Sequence, residues 1–166
     1  TIRLYFPDKI QSDLSSHLTK EQTHYVKDVM RLKIGNKLSI FNIQGEWETI
    51  LESYETSGAK IKVIGKVRDK IKEKNIWLAF SPIKQNPLNF VIQKGTELGV
   101  QKFIPILSER TVVRKINIER IKKITVEASE QSNRISIPEI NKPELIKNFL
   151  SKFPKNGFLI FCNINS

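Results

Sequence analysis

The spacing of apolar positions changes once along this chain, close to residue 70, and the change divides it into two parts. Short alternating runs dominate the first. "IRLYF" is β-rich and ends at Pro7. "TKEQTHYVKDVMRL" predicts a helix, because Thr19 and Gln22 have capping-box spacing and Tyr25, Val26, Val29 and Met30 form a 3.6-period stripe. "LSIFNIQGEWETILESYE" predicts a hairpin turning at "QG", and "KIKVIGKVR" alternates with period two. Short, closely spaced strands around one helix predict a small β-barrel over residues 1–70.

"RDKIKEKN", Arg68 to Asn75, carries six charges and one apolar residue in eight, and reads as a linker. A different pattern fills residues 75–166. "IWLAFSPI" is nearly continuous in apolar residues, as expected of a buried parallel strand. "NPLNFVIQKGTELG" predicts a helix with Asn86 as N-cap, Pro87 at the first helical position and Gly99 as left-handed C-cap. Its expected buried stripe is Leu88, Val91, Ile92, Gly95 and Leu98. "KFIPIL" is the next strand, "NIERIKKITVEASEQS" the second helix, "KPELIKNFLSKF" the third, and "GFLIFC" a last, buried strand. Alternating strands and helices predict a parallel α/β sheet. Only "NINS" follows the last strand, where a further crossover is usual, so this second domain is expected to be unfinished at Ser166.

Composition narrows the class. A chain of 166 residues that is 39% hydrophobic can bury a core, which argues against global disorder. One cysteine, Cys162, and two separated histidines, His17 and His24, leave no disulfide pair and no zinc-type cluster. A cytoplasmic setting is expected, and no apolar run is long enough to span a membrane. The net charge of +11 points to a polyanionic partner, with nucleic acid the commonest. The densest basic stretch, Arg110 to Lys123, has six basic residues and one acid.

The glycines are scattered, so no phosphate-cradling loop is present, and no Ser-His-Asp or Cys-His set is credible. Three polar clusters remain. Gln93, Lys94 and Glu97 share the polar side of one helix, with Gln93 and Glu97 at i,i+4. "SERTVVR", Ser108 to Arg114, follows a strand whose C-terminal end is where ligands of open α/β sheets bind. In "VEASEQSNR", Val126 to Arg134, the residues Glu127, Glu130, Gln131 and Arg134 gather within about 100° of a helical wheel. Ordinary surface ion pairing fits each cluster as well as a built site does. Gly95 falls on an apolar stripe, which implies either a close backbone approach or a cavity.

"IQKGTELGV", "PILSERTVV" and "IKKITVEASEQSNRISIPEI", in this order, resemble the RsmE family of SPOUT-class methyltransferases, which act on N3 of a uridine in 16S ribosomal RNA. "HYVKDVMRLKIGNKLSIFNIQGEWE" resembles the same family's PUA-like barrel. The resemblance runs over about residues 2–162. It implies an RNA-binding barrel over 1–70, a SPOUT domain over 75–166, S-adenosylmethionine as donor and a homodimer. It further implies catalytic roles for Arg110, Arg134, Glu97 and Gln131. Arg3, Arg31, Gln93, Lys94, Arg114 and Lys115 are implied to meet RNA, and Glu127 falls on the same polar motifs. Gly95 stands where the family usually has Ala or Ser, and Asn133 where Gly is usual. The segment between Arg114 and "ERIKKI" is shorter than the family's. The family's Gly-Pro-Glu-Gly-Gly loop and Leu/Arg-rich knot, which supply most of the cofactor pocket, find no match in the 166 residues, so no cofactor-binding residue is assigned. This chain alone is therefore expected neither to bind the donor tightly nor to methylate. The competing reading is a non-catalytic RNA-binding protein that uses the barrel and the Arg110–Lys123 patch.

Overall fold

The structure, a computed structural model, describes residues 1–162. Its first part is a five-stranded sheet ordered β1 (Arg3–Tyr5), β3 (Lys37–Asn42), β4 (Gly45–Glu55), β5 (Gly58–Asp69), β2 (Ser15–His17). β1 runs parallel to β3, and the other pairs are antiparallel. Three register shifts between β4 and β5 increase the local twist. The sheet wraps a core that includes Leu4, Val26, Leu38, Ile40, Leu51 and Ile61. Burying each such side chain stabilises the fold by about 1.5–3 kcal/mol. At the start of β4, Gly45 pairs with Asp69 at φ +139, and an added Cβ there would lie 2.3 Å from the Arg68 carbonyl oxygen.

The helix between β2 and β3 begins as its sequence predicts. Thr19 Oγ1 accepts from Gln22 N at 3.2 Å, and Gln22 Oε1 accepts from Thr19 N at 3.2 Å. After α1 (Lys20–His24) the helix widens into a π turn over Tyr25–Val29, closed by Met30 N donating to Tyr25 O at 2.9 Å. The wider turn breaks the 3.6-residue spacing. Of the expected stripe only Val26 is buried, while Tyr25, Val29 and Met30 are exposed.

The second part is a parallel sheet, as the alternation of elements predicts. β7 (Val100–Leu107) is central, with β6 (Ile76–Phe80) on one edge and β8 (Glu139–Ile140), then β9 (Glu144–Leu145), along the other. Pro105 stands between the stretch of β7 that pairs β8 (Lys102, Phe103) and the stretch that pairs β9 (Ile106, Leu107). A residue without an N–H is tolerated where the ladder changes partner. α2 (Gln85–Glu97) and α3 (Ile118–Gln131) pack on the sheet through Leu88, Ile92, Phe103 and Ile121. The short α4 (Ile146–Ser151) contributes Phe149 to a smaller cluster with Ile104 and Ile106.

Four sequence expectations need correction here. α2 starts one residue before the expected cap, so Lys84 is the N-cap and Pro87 occupies the third helical position. That position is still in the first turn, where an N–H has no intrahelical acceptor. Leu98 is 82% exposed, because it caps the helix rather than continuing its stripe. β6 is a half-buried edge strand, since nothing pairs its outer side among the described residues. "GFLIFC" forms no strand and is exposed, pairing with neither β7 nor the open edge of β6.

The question about Gly95 resolves as a close approach. A Cβ on Gly95 would meet two ring carbons of Phe103 at 2.8 Å, and Phe103 is 0% exposed. The helix backbone itself packs on that ring.

Candidate functional site

"VEASEQSNR" forms the last turn and exit of α3. The last four carbonyls of a helix lack intrahelical donors and carry the negative end of its dipole. Here a guanidinium from the barrel meets them. Arg3 Nη1 donates to Ser129 O at 3.2 Å and Glu130 O at 2.8 Å, and Arg3 Nη2 donates to Arg134 O at 2.8 Å. The same side chain donates from Nε to Glu46 Oε1 at 3.0 Å and from Nη2 to Glu46 Oε2 at 3.1 Å. Its guanidinium also lies 4.5 Å from the Phe41 ring centroid. Arg68 Nη2 joins the two domains a second time, donating to Glu46 Oε2 at 2.8 Å and Asn133 O at 2.9 Å. Asn133 is left-handed at φ +63, the conformation that ends a helix and that Asn tolerates better than most residues.

Glu46 is the hub of this clamp and is 5% exposed. Burial by itself would raise its carboxyl; hydrogen bonding and charge from Arg3, with Arg68 and Ser39 added, outweigh that and hold it below the ordinary carboxylate range. Glu130 goes the other way. Its Oε1 accepts from Tyr5 N at 2.9 Å across the domain interface. Burial, reinforced by the charge of Glu127, raises its carboxyl despite Tyr5 and Arg3. Tyr5 O in turn accepts from Gln22 Nε2 at 2.7 Å, so both polar groups on the free edge of β1 at Tyr5 are paired.

Arg134 repeats the motif on the other helix. It is 7% exposed. Its Nη1 donates to Thr96 O in the last turn of α2 and to Val100 O at the start of β7, each at 2.8 Å, and so ties the end of α2 to the strand that follows. Its Nη2 donates to Glu73 Oε2 at 2.5 Å and Ser136 Oγ at 2.8 Å. Glu73, from the linker, also accepts from Ser136 Oγ at 2.9 Å and from Gln101 Nε2. These contacts correct two expectations. Neither Arg3 nor Arg134 presents its guanidinium to RNA or to a reacting base, because both side chains are committed to helix-end carbonyls and to carboxylates.

Between the barrel and α3 lies a cleft of about 1310 Å³, lined by Tyr5, Gln22 and Tyr25 on one side and Glu127, Glu130 and Gln131 on the other. Gln131 is exposed into it, as is Glu127. Arg31 is exposed at φ +53 beside Met30 and Leu32, which line the same cleft. The other expected residues stand elsewhere. Gln93 Nε2 donates to Glu97 Oε1 at 3.0 Å, and Lys94 Nζ donates to Glu97 Oε2 at 2.7 Å, all on the end of α2. The Lys94 hydrogen bond, aided by Gln93, holds Glu97 below its ordinary range. Arg110, Arg114 and Lys115 are exposed on the loop after β7 and do not line the cleft. There Thr111 Oγ1 accepts from Ser108 N at 2.8 Å and lies 3.1 Å from Ser81 Oγ, tying that loop to the end of β6. The sequence reading missed Glu46, Arg68 and Glu73. All three lie in segments that read as plain strand or charged linker. No metal-binding group of His, Cys, Asp or Glu occurs among the described residues, and no helix among them is long and apolar enough to cross a membrane.

Comparison with known proteins agrees with this two-part layout. The model of the RNA methyltransferase PUA domain matches residues 18–64, and that of the RNA methyltransferase domain matches residues 70–166. The ribosomal RNA small subunit methyltransferase E of Rickettsia conorii is 30% identical over 163 residues, covering 97% of this chain and 66% of its own length. The protein of that name from Buchnera aphidicola subsp. Schizaphis graminum is 33% identical over 159 residues, covering 87% of this chain and 62% of its own. A crystal structure of the Neisseria gonorrhoeae enzyme of that name, bound to S-adenosyl methionine, superposes with a TM-score of 0.83 at 26% identity, covering 93% of this chain and 66% of that one. The chain thus spans a little under two thirds of the length of these relatives. With one domain model covering more than half of the chain and the other falling within the barrel, the chain belongs to the RNA methyltransferase family of the ribosomal RNA small subunit methyltransferases E.

Proposed function

We propose that the protein acts in S-adenosylmethionine-dependent methylation of N3 of a uridine in 16S ribosomal RNA, in the cytoplasm and as a homodimer. The observation that supports this most directly is the seating of a PUA-type barrel on the last turn of α3, which leaves Gln131 facing a cleft wide enough for an extruded nucleotide. The net charge of +11 suits a polyanionic substrate. On this reading residues 1–70 bind RNA and residues 75–166 belong to the methyltransferase domain.

The chemistry asks the chain's own residues to stabilise charge on the target ring. Uridine N3 carries a proton at neutral pH, so the negative charge that develops on the ring as the proton leaves must be stabilised. Of the two arginines proposed for that charge or for a phosphate, Arg110 is exposed on the loop after β7, outside the cleft, and Arg134 is committed to Thr96 O, Val100 O and Glu73. Gln131 is placed to hydrogen-bond a base in the cleft, and Arg31, Arg114 and Lys115 to meet phosphates. S-adenosylmethionine supplies the methyl group when bound. Neither the interdomain cleft nor the second groove, beside Trp77 and Gln101, includes Ser81 or Ser108 at the C-terminal ends of β6 and β7. No residue lining either cleft is therefore assigned to it.

The test is to incubate the native gene product with unmodified small ribosomal subunits and labelled S-adenosylmethionine, then to digest the RNA to nucleosides. Labelled N3-methyluridine is expected, with Arg110→Ala lowering its yield. Tight, salt-sensitive RNA binding without any transfer would replace this reading with that of a non-catalytic RNA-binding protein. Sedimentation of the same preparation tests the homodimer.

A further inference from the structure

Both polar clusters of the candidate site stand on helix ends. Gln93 and Glu97 are in the last turns of α2, and Gln131 is the last residue of α3. Helix ends are the parts of a helix most prone to fray. In this protein each end is held by an arginine that comes from outside its helix. Arg3 holds α3 through Ser129 O and Glu130 O, while its other side is fixed on the barrel by Glu46 and Phe41. Arg134 holds the end of α2 through Thr96 O and the start of β7 through Val100 O.

The two arginines are joined, because Arg3 Nη2 donates to the main-chain carbonyl of Arg134 at 2.8 Å. A continuous series of hydrogen bonds therefore runs from Glu46 through Arg3 to the Arg134 backbone, and from the Arg134 side chain to the end of α2. Every link is 2.8–3.1 Å long. The linker is fastened to the same guanidinium through Glu73. A planar fork with several donors can span partners in two domains at once, which a lysine cannot do.

We infer that Arg3 and Arg134 are positioning residues that convert the seat of the barrel into the placement of both helix ends, and so of Gln93, Glu97 and Gln131. The inference rests on the proposed function for its purpose, because it couples RNA held by the barrel to the methyltransferase domain. Its physical basis is a contiguous network rather than nearness alone. A stability role and a positioning role share these contacts and differ in what loss of Arg3 does at α2, which Arg3 does not touch.

That distinction supplies the test. Amide hydrogen exchange is measured on the native gene product and on Arg3→Gln, below the melting point of both. In Arg3→Gln the amides of Leu98 and Gly99 at the end of α2 are expected to exchange about tenfold faster, while those of Ile40 and Phe41 in β3 stay protected. If only amides near residues 129–134 change, or none does, the coupling is refuted. Should Arg3→Gln fail to fold, Arg3→Lys is read in the same way, with the same two outcomes. Methylation assays on the same proteins give the second readout. Positioning predicts a fall in kcat of about tenfold or more with little change in KM for RNA, whereas a stability role alone leaves kcat per folded molecule unchanged. Absence of methylation by the unsubstituted protein would count against the proposed function; the exchange result decides the coupling independently.

Discussion

Arg3 and Arg134 lie 131 residues apart in sequence, yet the guanidinium of the first donates to the main-chain carbonyl of the second at 2.8 Å. Each arginine also closes the end of a helix that it does not belong to. The pair shows how a basic protein can spend cations internally. Two of its 28 basic side chains serve as caps, and neither can be counted toward RNA.

Removing the second cap exposes its weight. Arg134→Gln removes the charged partner of Glu73 and a donor shared by Thr96 O at the end of α2 and Val100 O at the start of β7; breaking a fully buried ion pair costs about 3–5 kcal/mol, and the part-exposed Glu73 brings the cost here below that range. The chain's two tryptophans fall one in each domain, Trp47 in β4 and Trp77 in β6. Urea melts of Trp47→Phe and Trp77→Phe backgrounds therefore report the domains separately. Arg134→Gln is expected to lower the midpoint seen by Trp77 more than that seen by Trp47. Equal shifts would mean that the cap acts on the whole molecule.

Gly95→Ala sets two effects against each other. Alanine favours a helix interior by about 1 kcal/mol over glycine. Its Cβ, however, would meet Phe103 at 2.8 Å inside a closed core, where overpacking costs about 1–3 kcal/mol. Net destabilisation is expected by chemical denaturation. The double variant Gly95→Ala/Phe103→Leu should recover part of it, because the smaller side chain vacates the clash.

Asn133 offers a backbone test. At φ +63 a residue with a Cβ and no local polar compensation is strained, by about 1 kcal/mol. Asn133→Ala should lower the melting temperature, while Asn133→Gly should leave it nearly unchanged. An alanine variant as stable as the parent would mean that the α3 exit relaxes to another conformation.

Two carboxylates should shape the acid side of the stability profile with opposite signs. Glu46 is held below its ordinary range, so the stability it contributes is present above that range and is lost as pH falls through its depressed folded value. Glu130 is raised, so its contribution is full below the ordinary range and is lost as pH rises through its elevated folded value. Thermal melts at a series of pH values should show Glu46→Gln flattening the acid limb. Glu130→Gln, which mimics the protonated form, should remove the decline just above the ordinary carboxylate range.

Much of the scaffold could be read from local chemistry. Thr19 and Gln22 form their capping box, Gly99 and Asn133 end their helices left-handed, and the strand–helix alternation gives a parallel sheet. These features depend on residues within a few positions of one another. What could not be read depends on distant partners. An arginine on the polar face of a helix looks the same on a wheel whether it reaches solvent or a neighbouring helix end, so Arg134 read as a ligand-facing cation. An apolar run likewise predicts burial only when something covers it, and "GFLIFC" is exposed. The site was legible as a set of segments but not as a geometry. Gln131 meets the cleft, while Arg110 and Glu97 stand away from it.

Gly45 carries a consequence that reaches beyond its own hairpin. A single methyl group there would push against the Arg68 carbonyl, and Arg68 holds both Glu46 and the exit of α3. A side chain at a position that now has none would thus press on the residue that joins the two domains. A mutational scan scored on domain geometry should find Gly45 as intolerant as the arginines themselves, and a search confined to interface residues would pass it by.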